Sequence, residues 1–495
     1  MQFWCDELDI TCSTAGRGQI LVGDRDGTVV ILDKLLNMTA FRAHNISISH
    51  IHQLRQNTVL LTVGTDEDAE YPQLKVWQMD RVDSNGRPHC SRIIKLSATG
   101  GNAEVSCIAV HENMQLLAVG YKSGVVTFYK GDVSKERQSK LFVVRDSEDD
   151  RGGEITGLAI RIVLKSQLLF VTTRNALFAY EIAVKDKFLQ VLKENYGCTI
   201  KCSALADDLL SNQFLIGRND GVYYMQPEGR GGTAPLEGEK YQVHWYRGYI
   251  VTVGRSSINR DMDIVTIYDA RNKFIAYSGA IPKVSNVLFE WNAIYILGGE
   301  NKMYILLEKD TKTKLEILFK KNQYITAINI AKSQKYDTHG LVDIFRLYGD
   351  YLYTERGDHD QAIEQYKMTI GKLEPSYVIR KFLDAQRLHN LTSYLEELHN
   401  KHHATEDHTT LLLNCYTKLK DQDKLDEFIH KKDRNNEVYF DVETAIRVLR
   451  QADYHSHALQ LAERHSQHEW YMKIQLENVK DFSSCSQICA EVTFS

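Results

Sequence analysis

One phrase, rewritten seven times before residue 310, limits what this chain can fold into more than any other feature. ILVGDRDGTVVILDK from Ile20 and LLAVGYKSGVVTFYK from Leu116 share a plan: an alternating apolar run, a glycine, a short polar turn, a second alternating run. Alternation at period two marks β-strands, and a glycine-bearing turn between two such runs marks a hairpin. Asp26-Gly27, Ser123-Gly124 and Asp220-Gly221 occupy those turns, where glycine is expected to supply a positive φ. The plan recurs from Thr58, Gln167, Asn212, Tyr249 and Ala293.

With Gly23, Gly64, Gly120, Thr173, Gly217, Gly254 and Gly298 as pivots, the steps are 41, 56, 53, 44, 37 and 44 residues. Two strands recognisable per unit, at a period of roughly 40–45 residues, predict a seven-bladed β-propeller over residues 1–310. LKVWQMD and VTIYDAR approximate the Trp-Asp strand of such repeats; the Gly-His half is missing, so the blades read as degenerate. A pair of β-sandwiches is the rival fold that alternation alone leaves open.

Past residue 310 the apolar period changes to three and four, as in Val378, Phe382, Ala385 and then Leu391, Tyr394, Leu395, Leu398. Turns near Gly357, His389, Asp421 and Asp453 are 32 residues apart and each splits a helix pair, which predicts an α-solenoid over residues 311–482. Leu347-x-Gly349, Ala362 and Tyr366 carry a tetratricopeptide-like spacing. Pro375 is placed at a helix start, with Asn390 and Asp423 as N-caps. EKDTKTK at 308–314 reads as a charged hinge, and residues 483–495 as an irregular tail.

Charge excludes some functions. Sixty Lys and Arg against 65 Asp and Glu leave no basic excess for nucleic acid. MQFWCDELDI lacks the basic and apolar regions of a secretory signal, and no apolar run approaches the roughly 18–20 residues that span a bilayer. A cytosolic protein is expected. The nine cysteines then read as free thiols, and the sequons at Asn37, Asn45 and Asn390 carry little weight.

No catalytic, cofactor-binding or metal-binding residue is assigned. EGRGGTAPLEG at 228–238 lacks the Gly-Lys-Ser/Thr end of a phosphate loop and reads as a flexible loop between blades. His468 opens HEWYM without the second histidine of a zinc-protease pair. His399, His402 and His403, with His408 near, have helical spacing, yet no cysteine or carboxylate pair completes a metal set. Cys198 with Cys202, and Cys485 with Cys489, lack a second pair. The acidic stretches at 65–73 and 145–154 read as solvated hairpin loops, with a basic partner as the alternative.

EPSYVIRKFLDAQRLHNLTSYLEELH, HTTLLLNCYTKLKDQDKLDEFI and DVETAIRVLRQADYHSHALQLAERH closely resemble the solenoid of the vacuolar protein sorting-associated protein 11 family. HENMQLLAVGYKSGVVTFYKGD extends the likeness into the propeller, so that it covers residues 12 to 482. The resemblance implies a clathrin-heavy-chain-like solenoid behind a propeller, in a non-enzymatic scaffold of the HOPS and CORVET tethering complexes. Its implied partners are the other class C subunits and, indirectly, Rab GTPases and SNAREs. The implied location is peripheral, on late endosome, lysosome or vacuole and early endosome membranes. A coat or cargo adaptor with a peptide-binding propeller is the alternative, and a propeller hydrolase a third.

Two departures qualify the likeness. Family members continue through further helices to a zinc-binding RING finger, while this chain stops at DFSSCSQICAEVTFS, so a shortened form is expected and ubiquitin ligation is not carried over. The family's N-terminal lead-in is mostly missing, which bears on the first blade's closing strand. Ile474, Val479 and Phe482 should then form an uncovered apolar side on the last helix.

Overall fold

The computed structural model describes residues 8–479 except 68, 85, 98–103, 147–152, 164–165, 183–186, 207–212, 300–301 and 431–440. The chain divides into two compact units, Met1–Glu308 and Lys309–Ser495.

The first unit is a ring of seven antiparallel sheets, each threaded in sequence order. Blades 1 to 7 cover residues 10–42, 47–95, 105–145, 155–194, 203–234, 240–282 and 286–307. The first strand of every blade packs on the first strand of the next, and that of blade 7 returns to blade 1. A closed ring of this kind excludes the paired sandwiches. Six blades have four strands; blade 7 has three among the described residues. Blade 1 has all four strands, so among the described residues it is the outer position of blade 7 that holds no strand.

All seven pivots fall within one residue of the end of a blade's second strand. Glycine is needed there by crowding. A Cβ on Gly120 would sit 2.7 Å from Ile155 Cγ2 of the next blade, and one on Gly217 would sit 2.4 Å from Val243 Cγ2. Turn chemistry holds at Gly27 and Gly124, with φ of 93° and 88°. Gly221 differs: it is a strand residue opposite Arg218, and its Cβ would meet the Ala234 carbonyl oxygen at 2.9 Å. Residues 228–238 also depart from expectation. Gly229–Ala234 forms the outer strand of blade 5, paired to Val222, Tyr223, Met225 and Gln226. Small residues there let the strand lie against Tyr224, and Arg230 covers the Tyr223 ring at 4.0 Å.

Ring closure joins the two ends of the unit. Ile20, Val22 and Leu32 of blade 1 share a buried cluster with Leu288, Ala293, Tyr295, Leu297 and Met303 of blade 7. The Gly18 N–H donates to Glu290 at 2.9 Å, and the Asn286 amide donates to Ser13 Oγ at 2.5 Å.

The second unit is helical: α1 (Thr311–Lys320), α2 (Tyr324–Ser333), α3 (Thr338–Tyr351), α4 (His359–Lys367), α5 (Pro375–Phe382), α6 (Leu388–Asn400), α7 (Glu406–Leu419), α8 (Gln422–His430), α9 (Val442–Gln451), α10 (His455–Arg464) and α11 (His468–Ile474). One apolar cluster runs from Leu352 to Ile474. Leu391, Tyr394, Leu395 and Leu398 are fully buried on one side of α6, and each such side chain contributes about 1.5–3 kcal/mol on leaving water. Gly349 lets Tyr366 cross α3, since a Cβ there would lie 2.8 Å from the ring.

Local signals hold in part. Pro375 opens α5, and Gly357 and Asp453 turn with φ of 67° and 64°. The charged hinge is shorter than expected, because Asp310 caps α1 by accepting from the Thr313 N–H. Asn390 lies inside α6 and bonds Asp360 instead of capping, His389 belongs to the first turn of α6, and the cap of α8 is Asp421, not Asp423. Ile474 faces inward and is fully buried, whereas Val479 is exposed; Phe482 lies outside the described residues. The expected uncovered stripe therefore excludes Ile474.

Candidate interaction surfaces

Blade 2 holds a buried network. His44 is fully buried, and its Nε2 lies 2.9 Å from Thr62 Oγ1, which also accepts from Trp77 Nε1 at 3.0 Å. His44 Nδ1 lies 3.7 Å from Asp66, and a proton there would face the carboxylate and leave Nε2 to accept from the Thr62 hydroxyl. Lys75 Nζ lies 2.7 Å from Asp66 and donates to the Ala43 carbonyl. Burial pushes His44 down to about 4. Burial would raise Asp66, but hydrogen bonds from Lys75 and the Asn45 N–H hold it below the ordinary carboxylate range. Blade 2 is thus not degenerate: Ala43-His44 supplies the histidine half that the pattern lacked. Asp66, the start of the first acidic stretch, is a paired group and not a solvated one. Most of the second stretch, 147–152, lies outside the described residues.

The ring's inner strands place Cys12, His50 and His244 around Lys201, whose carbonyl accepts from the Val243 N–H. Burial raises the Cys12 thiol to about 11 and lowers His244 to about 4. Lys201, exposed to solvent yet surrounded by protein, is lowered by desolvation. A thiol that burial holds protonated is the reverse of an activated nucleophile.

A third network binds helices α3, α4 and α5. The Asp350 carboxylate accepts from Tyr366 at 2.6 Å, Tyr377 at 2.8 Å and Lys381 at 2.5 Å. Lys381 lies over the rings of Tyr377, Tyr353 and Tyr366 at 4.8, 5.4 and 5.7 Å. Burial opposes both charges, yet their mutual hydrogen bond holds Asp350 low and Lys381 high.

The histidines considered as ligands are given separate tasks. His399 meets Thr409 and the edge of Phe428, His408 completes the α7 capping box with Thr405, His402 turns the chain at φ 58°, and the His403 ring lies over Gly371. Among the described residues no group of three His, Cys, Asp or Glu side chains could hold a metal. Cys198 and Cys202 are buried free thiols, the latter bonded to the Lys240 carbonyl. His468 begins α11; Cys485 and Cys489 lie outside the described residues.

A closed ring followed by helical hairpins, with polar side chains spent on structural networks, defines a propeller–solenoid protein. Residues 2–308 match the family description PEP5/VPS11 N-terminal, and residues 354–494 match PEP5/VPS11 Clathrin repeat. The chain belongs to the PEP5/VPS11 family. Vacuolar protein sorting-associated protein 11 homologs of Mus musculus and Homo sapiens are each 46% identical over 506 residues, covering 100% of this chain and 53% of theirs. The Arabidopsis thaliana homolog is 40% identical, covering 97% of this chain and 52% of its own. The chain therefore spans about half the length of the curated relatives it matches. Among the described residues no helix is long and apolar enough to cross a membrane.

Proposed function

We propose that this chain is a non-enzymatic scaffold for vacuolar protein sorting, a subunit of a HOPS- or CORVET-like assembly that tethers endolysosomal membranes before fusion. Its direct partners are other class C vacuolar protein sorting subunits, through which it meets Rab GTPases and SNAREs. It works from the cytoplasm, peripherally on late endosome, lysosome or vacuole and early endosome membranes, without a cofactor. The propeller of residues 1–310 and the solenoid of residues 311–482 supply separate display surfaces.

The observation that carries this reading is similarity along the whole chain to relatives named for vacuolar protein sorting. Ring and hairpins add a physical reason, because they offer extended surface at fixed spacing. Affinity purification of the tagged chain from its own cells tests it. Recovery of class C subunits is expected. Recovery of coat or cage components, or cargo peptides, without those subunits would replace the reading with the adaptor one.

A further inference from the structure

The described turns that join first and second strands, those of blades 1, 2, 3, 6 and 7, lie at one end of the ring, because the inner strands run in parallel around it. Over blades 6, 7, 1, 2 and 3 these turns are tied together. Arg247 donates to Asn292 at 2.7 Å, the Gly18 N–H to Glu290 at 2.9 Å, and Arg17 to the Gln56 carbonyl at 3.2 Å; the Arg55 and Gln56 N–H groups both donate to Glu112 at 3.0 Å. Glu290 and Glu112 are thereby occupied by backbone donors, and Glu308, which also acts on Tyr246, accepts from the Tyr249 hydroxyl at 2.8 Å. The guanidinium groups of Arg17, Arg55 and Arg247 are exposed, and among the described residues none is paired with a carboxylate. Arg247 lies over the Tyr246 ring at 5.3 Å, and Arg55, from two blades beyond blade 7, also acts on that phenol. Trp291 stands beside Gly18 in the same rim.

We propose that this mouth of the propeller docks an extended acidic peptide of a partner protein. A guanidinium presents a planar fork that matches a carboxylate with two parallel hydrogen bonds. Three such forks on separate, mutually braced turns suit carboxylates spread along a chain better than one compact anion. A lipid surface fits less well, since none of the exposed large apolar residues lies on these turns. The proposal is independent of the tethering reading.

Fluorescence anisotropy of a short labelled peptide of alternating Glu and Ser tests it on the full chain. The parent should bind, more weakly as salt rises, and the Arg17→Gln/Arg55→Gln/Arg247→Gln variant should bind about tenfold more weakly while keeping the parent's circular dichroism spectrum and a cooperative melt. A control variant, Arg25→Gln/Arg42→Gln/Arg260→Gln, removes the same charge from the opposite end and should bind as the parent does. The proposal fails if the parent ignores the peptide, if both variants lose binding equally, or if the mouth variant keeps it. It fails also if the mouth variant loses sedimentation with phosphatidylserine vesicles while peptide binding is untouched.

Discussion

Thr62 makes two contacts with one hydroxyl, accepting from Trp77 and hydrogen-bonding His44 Nε2. Replacing it by valine keeps the shape and strands both partners inside blade 2. Thr62→Val is expected to destabilise the propeller by about 2–3 kcal/mol, the usual penalty for unpaired buried polar groups, measured by urea unfolding followed by tryptophan fluorescence. The network also sets a pH dependence. His44 is neutral in the fold, with its pKa lowered from 6.5 to about 4, so the unfolded chain binds the extra proton between those values. Stability is then full above pH 6.5 and falls as pH drops toward 4, by on the order of 2–3 kcal/mol from this group. His44→Gln should flatten that slope by about one proton; a parent with flat stability over the window would contradict the assignment. The Trp77 half of this network was legible as LKVWQMD. Ala43-His44 was not, because an alanine stands where a glycine was sought, and only the fold shows that histidine reaching 18 residues forward to Thr62.

Crowding at the strand ends explains why the repeated phrase keeps its glycine in every blade but the fourth, where Thr173 stands, while the other letters drift. Gly217 and Gly254 test this in graded form. A Cβ at Gly217 would meet a Val243 methyl, which can shift, whereas one at Gly254 would lie 2.2 Å from the Glu239 carbonyl oxygen, which cannot. Gly217→Ala should cost about 1 kcal/mol and Gly254→Ala about 3 kcal/mol, read from denaturation midpoints; equal costs would remove the steric account. Helix pairs were legible by their spacing, but two caps slipped by two and three residues, from Asp421 to Asp423 and from Arg387 to Asn390. Asp, Asn and Gln crowd the loops, and local preference alone does not choose among them. The strand at 229–234 was hidden for a related reason: its three glycines erase the apolar alternation by which strands are recognised, and only pairing to Tyr223 and Met225 defines it. Between helices, the Asp350–Lys381 pair keeps α3, α4 and α5 in register, at 23% and 22% side-chain exposure. Lys381→Met leaves a half-buried carboxylate with only the more distant Arg346, at 3.7 Å, as its cation, and should lower solenoid stability by about 2 kcal/mol. Adding Asp350→Asn should recover part of that loss, a coupling that a double-mutant cycle measures.

The two units propagate damage differently, because one is closed and the other is a row. Spacing in the sequence showed the blade count, but closure rests on contacts such as Gly18 to Glu290, 272 positions apart, and no local pattern encodes a partner at that distance. In the ring, Leu288 fills the cluster shared by blades 7 and 1. In the helical unit, Leu449 of α9 is buried among α7, α10 and α11. Each leucine truncated to alanine removes similar volume and should cost about 2–5 kcal/mol. Hydrogen exchange should separate the two responses. Leu288→Ala opens the seam of a closed ring, so protection should fall in blade 1 as well as blade 7, far apart in sequence. Leu449→Ala should reduce protection only in the neighbouring hairpins, since each repeat is held by its nearest contacts. Protection in blade 1 left intact by Leu288→Ala would mean that the seam contributes nothing to holding the ring, and that each blade stands on the pairing within its own sheet.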